Sequence, residues 1–389
     1  MASQAGAGVA AGASAKAGAG ALAGAGASAG ASAGAATGAS AKAGAGAGAG
    51  AGATALLRAE RLTKTYAASS RRGFGSARLT AVNEVSFEVA RGETFGLVGE
   101  SGCGKSTLAM LALRLIEPTS GALSYEGRDM LKMGFRELRE IRRDMQVVFQ
   151  DPYDSMNPRL TLEEVVAEPL RVHGRGGTKR SRRERVEKLF ADVGLPAHLM
   201  GRYPHQLSGG QRQRLCIARA IALSPRLVVC DEAVSALDVS IQAQILNLLL
   251  DLKDEFGLTY MFISHNLAVV KFMSDRIGVM YFGRIVELAA KAELFGNVLH
   301  PYTLMLLSAM PSPVPGDSRG AERRAAITGG VPSLFSPPAG CVFHPRCRFR
   351  EGVCEREEPP LRDMGGGHCV ACHFAGEHGL PRLAEQFAV

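Results

Sequence analysis

No run of about 18 or more strongly apolar residues occurs in the 389-residue chain, so it does not span a bilayer by itself, and any membrane role has to come through partners. Acidic residues are missing from positions 1–55, where 27 Ala and 15 Gly are accompanied by Lys16 and Lys42 as the charged side chains. That stretch has neither the charged n-region nor the Leu-rich h-region of a secretory signal. Gly at every second or third place removes helix stability, and no side chain is large enough to anchor a core, so it reads as a flexible tail. No internal repeat with a period of about 20–50 residues is visible, which excludes solenoids and propellers. A strong excess of one charge is missing too, since 45 Lys+Arg face 37 Asp+Glu for a net +8. The basic residues are scattered, apart from Lys179, Arg180, Arg182, Arg183, Arg185 and Lys188. Glu184 and Glu187 interrupt that group at helical spacing, which points to a solvated helix face and away from nucleic acid.

What is present suffices for a sizeable core: 46% of residues are hydrophobic and 21% charged, and the length allows about two domains plus a remainder. Large apolar residues begin near Leu56. Val85, Phe87 and Val89 alternate as in a half-buried strand, and Thr94 to Val98 is a short apolar run ending in Gly99. A glycine-rich loop and a helical stretch, Leu108 to Ile116, follow; Met145 to Phe149 is another apolar run, closed by Gln150. Thr161 with Glu164 fits a capping box and opens a helical insertion that reaches Ala222. Leu227 to Cys230 and Thr259 to Ile263 read as buried strands flanking a helix from Ser240 to Phe256, whose Ile241, Ile245, Leu248, Leu249 and Leu252 share one stripe. Strands alternating with helices predict an α/β fold with a mostly parallel sheet. After His300 the composition shifts again, first to Pro, Gly and Ser and then to a segment holding five of the eight cysteines, which reads as a second, small domain.

Gly99, Glu100, Ser101, Gly102, Cys103, Gly104, Lys105, Ser106 and Thr107 match the pattern G-x-x-x-x-G-K-[ST] between a predicted strand and a predicted helix. Such glycines let backbone N–H groups wrap phosphate oxygens, and the helix N-terminus adds a favourable field. Lys105 would reach the β- and γ-phosphates and the Ser106 hydroxyl would ligate magnesium. Leu227 to Glu232 places two carboxylates at the end of a buried strand, where a parallel sheet delivers functional residues. Asp231 suits magnesium held through water; Glu232 suits orienting or deprotonating an attacking water.

With Leu207-Ser208-Gly209-Gly210-Gln211 added between these motifs, the sequence resembles the nucleotide-binding subunit of the ATP-binding cassette (ABC) transporters from about Leu56 to Leu288. The resemblance implies a P-loop NTPase fold with a helical subdomain, and it gives further residues their roles. Tyr66 stands where an aromatic stacks on adenine, and Gln150 where a glutamine senses magnesium and the lytic water. Ser235 to Asp238 occupy the loop that crosses the dimer, and His265 the place of a histidine that contacts the γ-phosphate. Ser208 to Gln211 of one subunit would close over the nucleotide held at Lys105 of the other. Ala233 departs from the pattern, which usually has proline there.

Phe149 to Arg159, Asp238 to Gln244 and His300 to Thr303 are similar to the ATPase subunits of oligopeptide and dipeptide importers of the OppF/DppF type, and the Cys-rich end resembles that subfamily's C-terminal extension. The implied organisation is a tail over residues 1–55, an ABC ATPase domain over 56–300 with its helical subdomain at about 151–222, and the extension over 301–389. The implied cofactors are ATP and Mg2+. The implied partners are a second ABC ATPase subunit or a second copy of the chain, two transmembrane permease subunits and, indirectly, an extracytoplasmic peptide-binding protein, with the chain peripheral on the cytoplasmic face of the membrane and no nucleic acid bound. An importer of the same build carrying nickel or glutathione is an alternative, since the ATPase never touches the cargo. A soluble ABC ATPase of translation or DNA repair is another, although those usually carry two cassettes or nucleic-acid-binding arms.

Cys341, Cys347, Cys354 and Cys372 are separated by five, six and seventeen residues. A cytosolic protein rarely keeps structural disulfides, which favours a ligand cluster over cystines. Spacing does not distinguish zinc from iron–sulfur, as both accept four thiolates; the subfamily resemblance implies a 4Fe-4S cluster. Cys369, three residues before Cys372, leaves the fourth ligand open between the two, and the subfamily pattern places it at Cys372. Cys103, Cys216 and Cys230 read as small core or loop residues.

Overall fold

The apolar runs become strands in chain order: β1 (Ala55–Ser69), β2 (Ser76–Ala90), β3 (Thr94–Val98), β4 (Ser120–Tyr125), β5 (Arg128–Asp129), β6 (Met145–Val148), β7 (Leu227–Asp231), β8 (Thr259–Ser264), β9 (Arg276–Tyr281), β10 (Arg284–Ala290), β11 (Arg362–Asp363) and β12 (Cys369–Val370). Between them stand helices α1 (Lys105–Ala112), α2 (Phe135–Asp144), α3 (Leu162–Val172), α4 (Lys179–Asp192), α5 (Gly209–Ile221), α6 (Val239–Phe256), α7 (Leu267–Met273), α8 (Lys291–Gly296) and α9 (Pro301–Ser308). This computed structural model describes residues 55–69, 76–153, 155–310 and 337–377. All of them belong to one compact unit, Ala49–Val389. The Ala/Gly tail lies outside the described residues, except for Ala55.

The central sheet has the order β11-β12-β10-β9-β3-β8-β7-β6. From β9 to β6 its pairs are parallel, while β10, β12 and β11 are antiparallel additions at one edge. Every residue of β3, β7 and β8 is buried, as expected of parallel strands covered on both faces. A second, antiparallel sheet of order β2-β1-β4-β5 is built on the alternation seen in the sequence, with Leu57 opposite Val89, Ala59 opposite Phe87 and Leu62 opposite Val85. Its buried face shares one core with β3 and α1.

The helical stretch between β6 and β7 forms by local chemistry. Thr161 Oγ1 accepts the Glu164 N–H (3.3 Å) and the Glu164 carboxylate accepts the Thr161 N–H (2.9 Å), which completes the expected capping box at the start of α3. Val165, Val166 and Leu170 of α3, Val186, Leu189 and Phe190 of α4, and Leu215, Ile217 and Ala218 of α5 bury into one cluster. The basic run falls on α4, where Arg180 pairs with Glu184 one turn on at 3.0 Å, a solvated pair of small energetic weight. In α6, Ile245, Leu248, Leu249 and Leu252 are buried and Gly257 caps the helix at φ 63°.

The cysteine-bearing segment, expected as a small domain of its own, adds β11 and β12 to the edge of the central sheet. Its attachment is centred on Glu287 of β10, a carboxylate with no solvent exposure. It accepts the N–H groups of Leu299 (2.7 Å) and His300 (3.2 Å), and His368 Nε2 lies 2.9 Å from it. A buried carboxylate is tolerable only with such a full set of partners. Replacing Glu287 with Ala strands all three, so the Glu287→Ala chain is expected to lose about 3–5 kcal/mol of stability, read as the shift in its urea unfolding midpoint; a change below about 1 kcal/mol would show that this anchor is dispensable.

Candidate functional site

The loop from Gly99 to Gly104 joins β3 to α1 in a conformation that its glycines permit. Gly104 has φ +106°, and a Cβ there would fall 2.2 Å from the Ala81 carbonyl oxygen; Gly102 has φ +79° with open space around it. Lys105, with 4% of its surface exposed, folds back over the loop, where Nζ donates to the carbonyls of Gly99 (2.8 Å) and Glu100 (2.9 Å). Cys103 is buried beside it, and burial pushes its thiol pKa up.

Opposite the loop, Ser106 Oγ donates to Asp231 Oδ1 at 3.1 Å. Burial raises the Asp231 carboxyl above its usual range, and the charge of Glu232 adds to that, while the Ser106 hydrogen bond opposes it. Glu232 adopts φ +48°, uncommon for a residue with a side chain. Its N–H donates to the Ile263 carbonyl at 2.9 Å, which turns the carboxylate toward the strand ends. There Glu232 accepts from Gln150 Nε2 at 3.0 Å, lies 3.3 Å from His265 Nδ1 and 4.0 Å from Lys105 Nζ. Gln150, Glu232 and His265 follow β6, β7 and β8, three adjacent strands whose C-terminal ends share one edge. Ala233, where proline was expected, is buried.

Two other expected pieces stand apart. Ser208 and Gln211 cap α5 by reciprocal hydrogen bonds of 3.0 and 3.3 Å; among the described residues, no hydrogen bond joins them to the Gly99–Thr107 loop. Tyr66 on β1 is 37% exposed, with Lys64 Nζ 5.2 Å from its ring centre.

Cys341, Cys347, Cys354 and Cys372 border one small cavity, together with Phe343, Phe349 and Phe374. Burial raises the thiol of Cys341 to about 12 and that of Cys372 to about 11, and it raises Cys347 as well. Cys369 is not among the cavity-lining residues: on β12 it pairs with Leu288 of β10, and its thiol faces the Gly367 carbonyl at 3.9 Å. Among the described residues, no group of three or more His, Cys, Asp or Glu side chains is arranged to hold a metal ion. Cys103, Cys216 and Cys230 are buried.

The sequence reading missed two partners of the loop. The Glu100 N–H donates to the Tyr302 hydroxyl at 2.9 Å, and the Glu100 carboxylate accepts from both terminal nitrogens of Arg346, at 2.8 and 2.9 Å. The one available signal was the His300 to Thr303 wording, which marked the segment without saying what it touches.

The loop geometry separates two conservative changes. Gly102→Ala is expected to cost about 1 kcal/mol, the backbone penalty alone, whereas Gly104→Ala adds a collision with a backbone carbonyl and is expected to cost about 3 kcal/mol. Urea unfolding of the two variants side by side checks this, and equal midpoints would contradict it.

Comparison with known proteins accords with this geometry. A model of the ABC transporter family matches residues 82–235, and one described as the C-terminal region of oligopeptide/dipeptide transporters matches residues 286–354. The oligopeptide transport ATP-binding protein AppF of Bacillus subtilis is 50% identical over 297 residues, covering 76% of this chain and 89% of the relative. The probable peptide ABC transporter ATP-binding protein y4tS of Sinorhizobium fredii is 51% identical over 82% of this chain and 90% of its own length. Among solved structures, the dimeric ABC transporter cassette MJ0796 superposes with a TM-score of 0.54 at 30% identity, over 61% of this chain and 99% of that one; the same cassette is also known in a post-hydrolysis state with ADP and Pi. With about half of the aligned residues identical along nearly all of such relatives, the chain belongs to the ABC transporter ATP-binding proteins, in the group that carries the oligopeptide/dipeptide C-terminal region.

Proposed function

We propose that this chain hydrolyses ATP to power an importer of di- or oligopeptides, as a peripheral subunit on the cytoplasmic face of the membrane. One observation carries the ATPase reading: Glu232 lies within reach of Gln150, His265 and Lys105 at the edge where the phosphate loop ends. In this reading backbone N–H groups between Ser101 and Thr107 cradle the phosphates, and Lys105 exchanges its two loop carbonyls for β- and γ-phosphate oxygens. Ser106 and Asp231, already in contact, hold Mg2+ with help from Gln150; the ion supplies neutralisation of phosphate charge. Glu232 orients the attacking water and takes up its proton, while His265 reads the γ-phosphate. Tyr66 offers its exposed ring to adenine.

The turn from Ser208 to Gln211, exposed at its first two residues and, among the described residues, not hydrogen-bonded to the chain's own loop, supports closure over a nucleotide on a second ATPase subunit, alike or different. The cargo reading rests on the relatives' names and on the C-terminal region shared with oligopeptide/dipeptide transporters; two permease subunits and an extracytoplasmic binding protein complete such a system. Among the described residues no helix is long and apolar enough to cross a membrane, so the permeases would supply the path.

Glu232→Gln is expected to keep ATP binding while turnover in the assembled complex falls by about 100-fold or more. Near-normal hydrolysis would show that Glu232 is not the base, and intact nucleotide binding by Lys105→Ala would overturn the ATP site as a whole.

The four thiols around one cavity support a 4Fe-4S cluster held by Cys341, Cys347, Cys354 and Cys372. The subfamily resemblance favours the cluster over a single zinc ion, which also accepts four thiolates. The cluster would cross-link two stretches of the extension. Anaerobically purified protein is expected to be brown with about four iron atoms per chain, to lose most of that iron on Cys372→Ser and to keep it on Cys369→Ser. A colourless protein with one zinc per chain would contradict the cluster, and iron loss on Cys369→Ser alone would move the fourth ligand.

A further inference from the structure

We propose that Arg346 is a positioning residue of the phosphate loop, so that the cysteine-bearing segment forms part of the nucleotide site; the inference rests on the ATP-site reading above. Glu100 lies inside the loop, and each of its polar groups is engaged. Its N–H donates to the Tyr302 hydroxyl, its carbonyl accepts from Lys105 Nζ at 2.9 Å, and its carboxylate accepts two parallel bonds from Arg346 at 2.8 and 2.9 Å. Arg346 and Lys105 are therefore joined through one residue of the loop.

The guanidinium has little freedom to do anything else. Its side chain is 4% exposed, and it sits 5.9 Å from the ring centre of Tyr281 and 6.0 Å from that of Phe343. Nη2 also lies 3.5 Å from Met305 Sδ. Tyr281, Tyr302 and Phe343 pack against one another, with ring centres 4.5 to 5.5 Å apart, so β9, α9 and the cysteine-bearing segment together build the wall that aims Arg346. A planar fork fixed in this way holds a carboxylate in one orientation, which a flexible ammonium does not.

The charge arithmetic gives this pair its consequence. A carboxylate in a phosphate-binding loop opposes a polyanionic ligand, and the opposition grows as the site loses water. Arg346 cancels the Glu100 charge and turns the carboxylate away into the extension. Arg346 also directly precedes Cys347 in the chain, so the folding of the cysteine turn and the setting of the phosphate loop are mechanically linked.

A double-mutant cycle on the full-length chain, reading the equilibrium Kd for MgATP, tests this. Arg346→Met leaves the Glu100 carboxylate uncompensated and is expected to weaken MgATP binding about tenfold or more. Adding Glu100→Gln removes that charge and is expected to bring the Kd back to within about threefold of the parent value. A purely structural Arg346 would instead lower the melting temperature of both variants and leave Kd alone. Parental affinity in Arg346→Met, or a double variant as weak as the single, overturns the proposal. Should Arg346→Met fail to fold, Arg346→Lys keeps the charge without the fork and is expected to weaken binding about threefold with an unchanged near-UV spectrum; parental affinity there overturns it equally. Lys105→Ala, measured alongside, reports on the ATP site itself, so failure of that reading is told apart from failure of this one.

Discussion

A lysine ammonium almost wholly withdrawn from water has to be surrounded by oxygen, and the site is organised by the way Lys105 meets that demand. Its nearest acceptors are two carbonyls of its own loop, with the Glu232 carboxylate 4.0 Å away. Isolated burial of such a charge would cost many kcal/mol, so the loop must stay curled and the end of β7 must stay close. Phosphate oxygens are better partners for the same ammonium than neutral carbonyls are. The lysine is thus held in place by contacts that a nucleotide can replace.

The constraint extends outward through the sheet. Parallel strands place their C-terminal ends on one edge, so Gln150, Glu232 and His265 meet although far apart in sequence. Only one of them requires an unusual backbone: Glu232, at φ +48°. The chain accepts that cost where the carboxylate is needed, with the Glu232 N–H tied to Ile263 of the neighbouring strand.

Two buried charges fasten the cysteine-bearing segment to the core, and they act at different ends. Glu287 gathers backbone donors from Leu299 and His300 and the ring of His368 at the sheet edge, while Arg346 reaches into the phosphate loop at Glu100. Buried polar contacts of this kind fix register and orientation more than they add stability. Orientation is the property that a phosphate loop requires.

Features that depend on neighbours along the chain were legible in the sequence. The glycine spacing of the phosphate loop, the Thr161 and Glu164 capping box, the alternation of β2 and the stripe on α6 are local, because backbone freedom, capping and side-chain period act over a few residues. The long antiparallel sheet edge and the partners of Glu100 were not legible, since nothing near Glu100 announces an arginine 246 positions away. The choice between Cys369 and Cys372 was equally closed to sequence spacing. The structure shows only their placement: β12 pairs with β10, the Cys369 thiol faces the Gly367 carbonyl, and Cys372 lines the cavity with the other three thiols. Sequence by itself determined the chemistry of the phosphate loop and the order along the chain of the segments that carry the amide, the acid and the imidazole; tertiary structure alone decided what surrounds them, because strand pairing and the compensation of buried charge are settled between segments that meet only after folding.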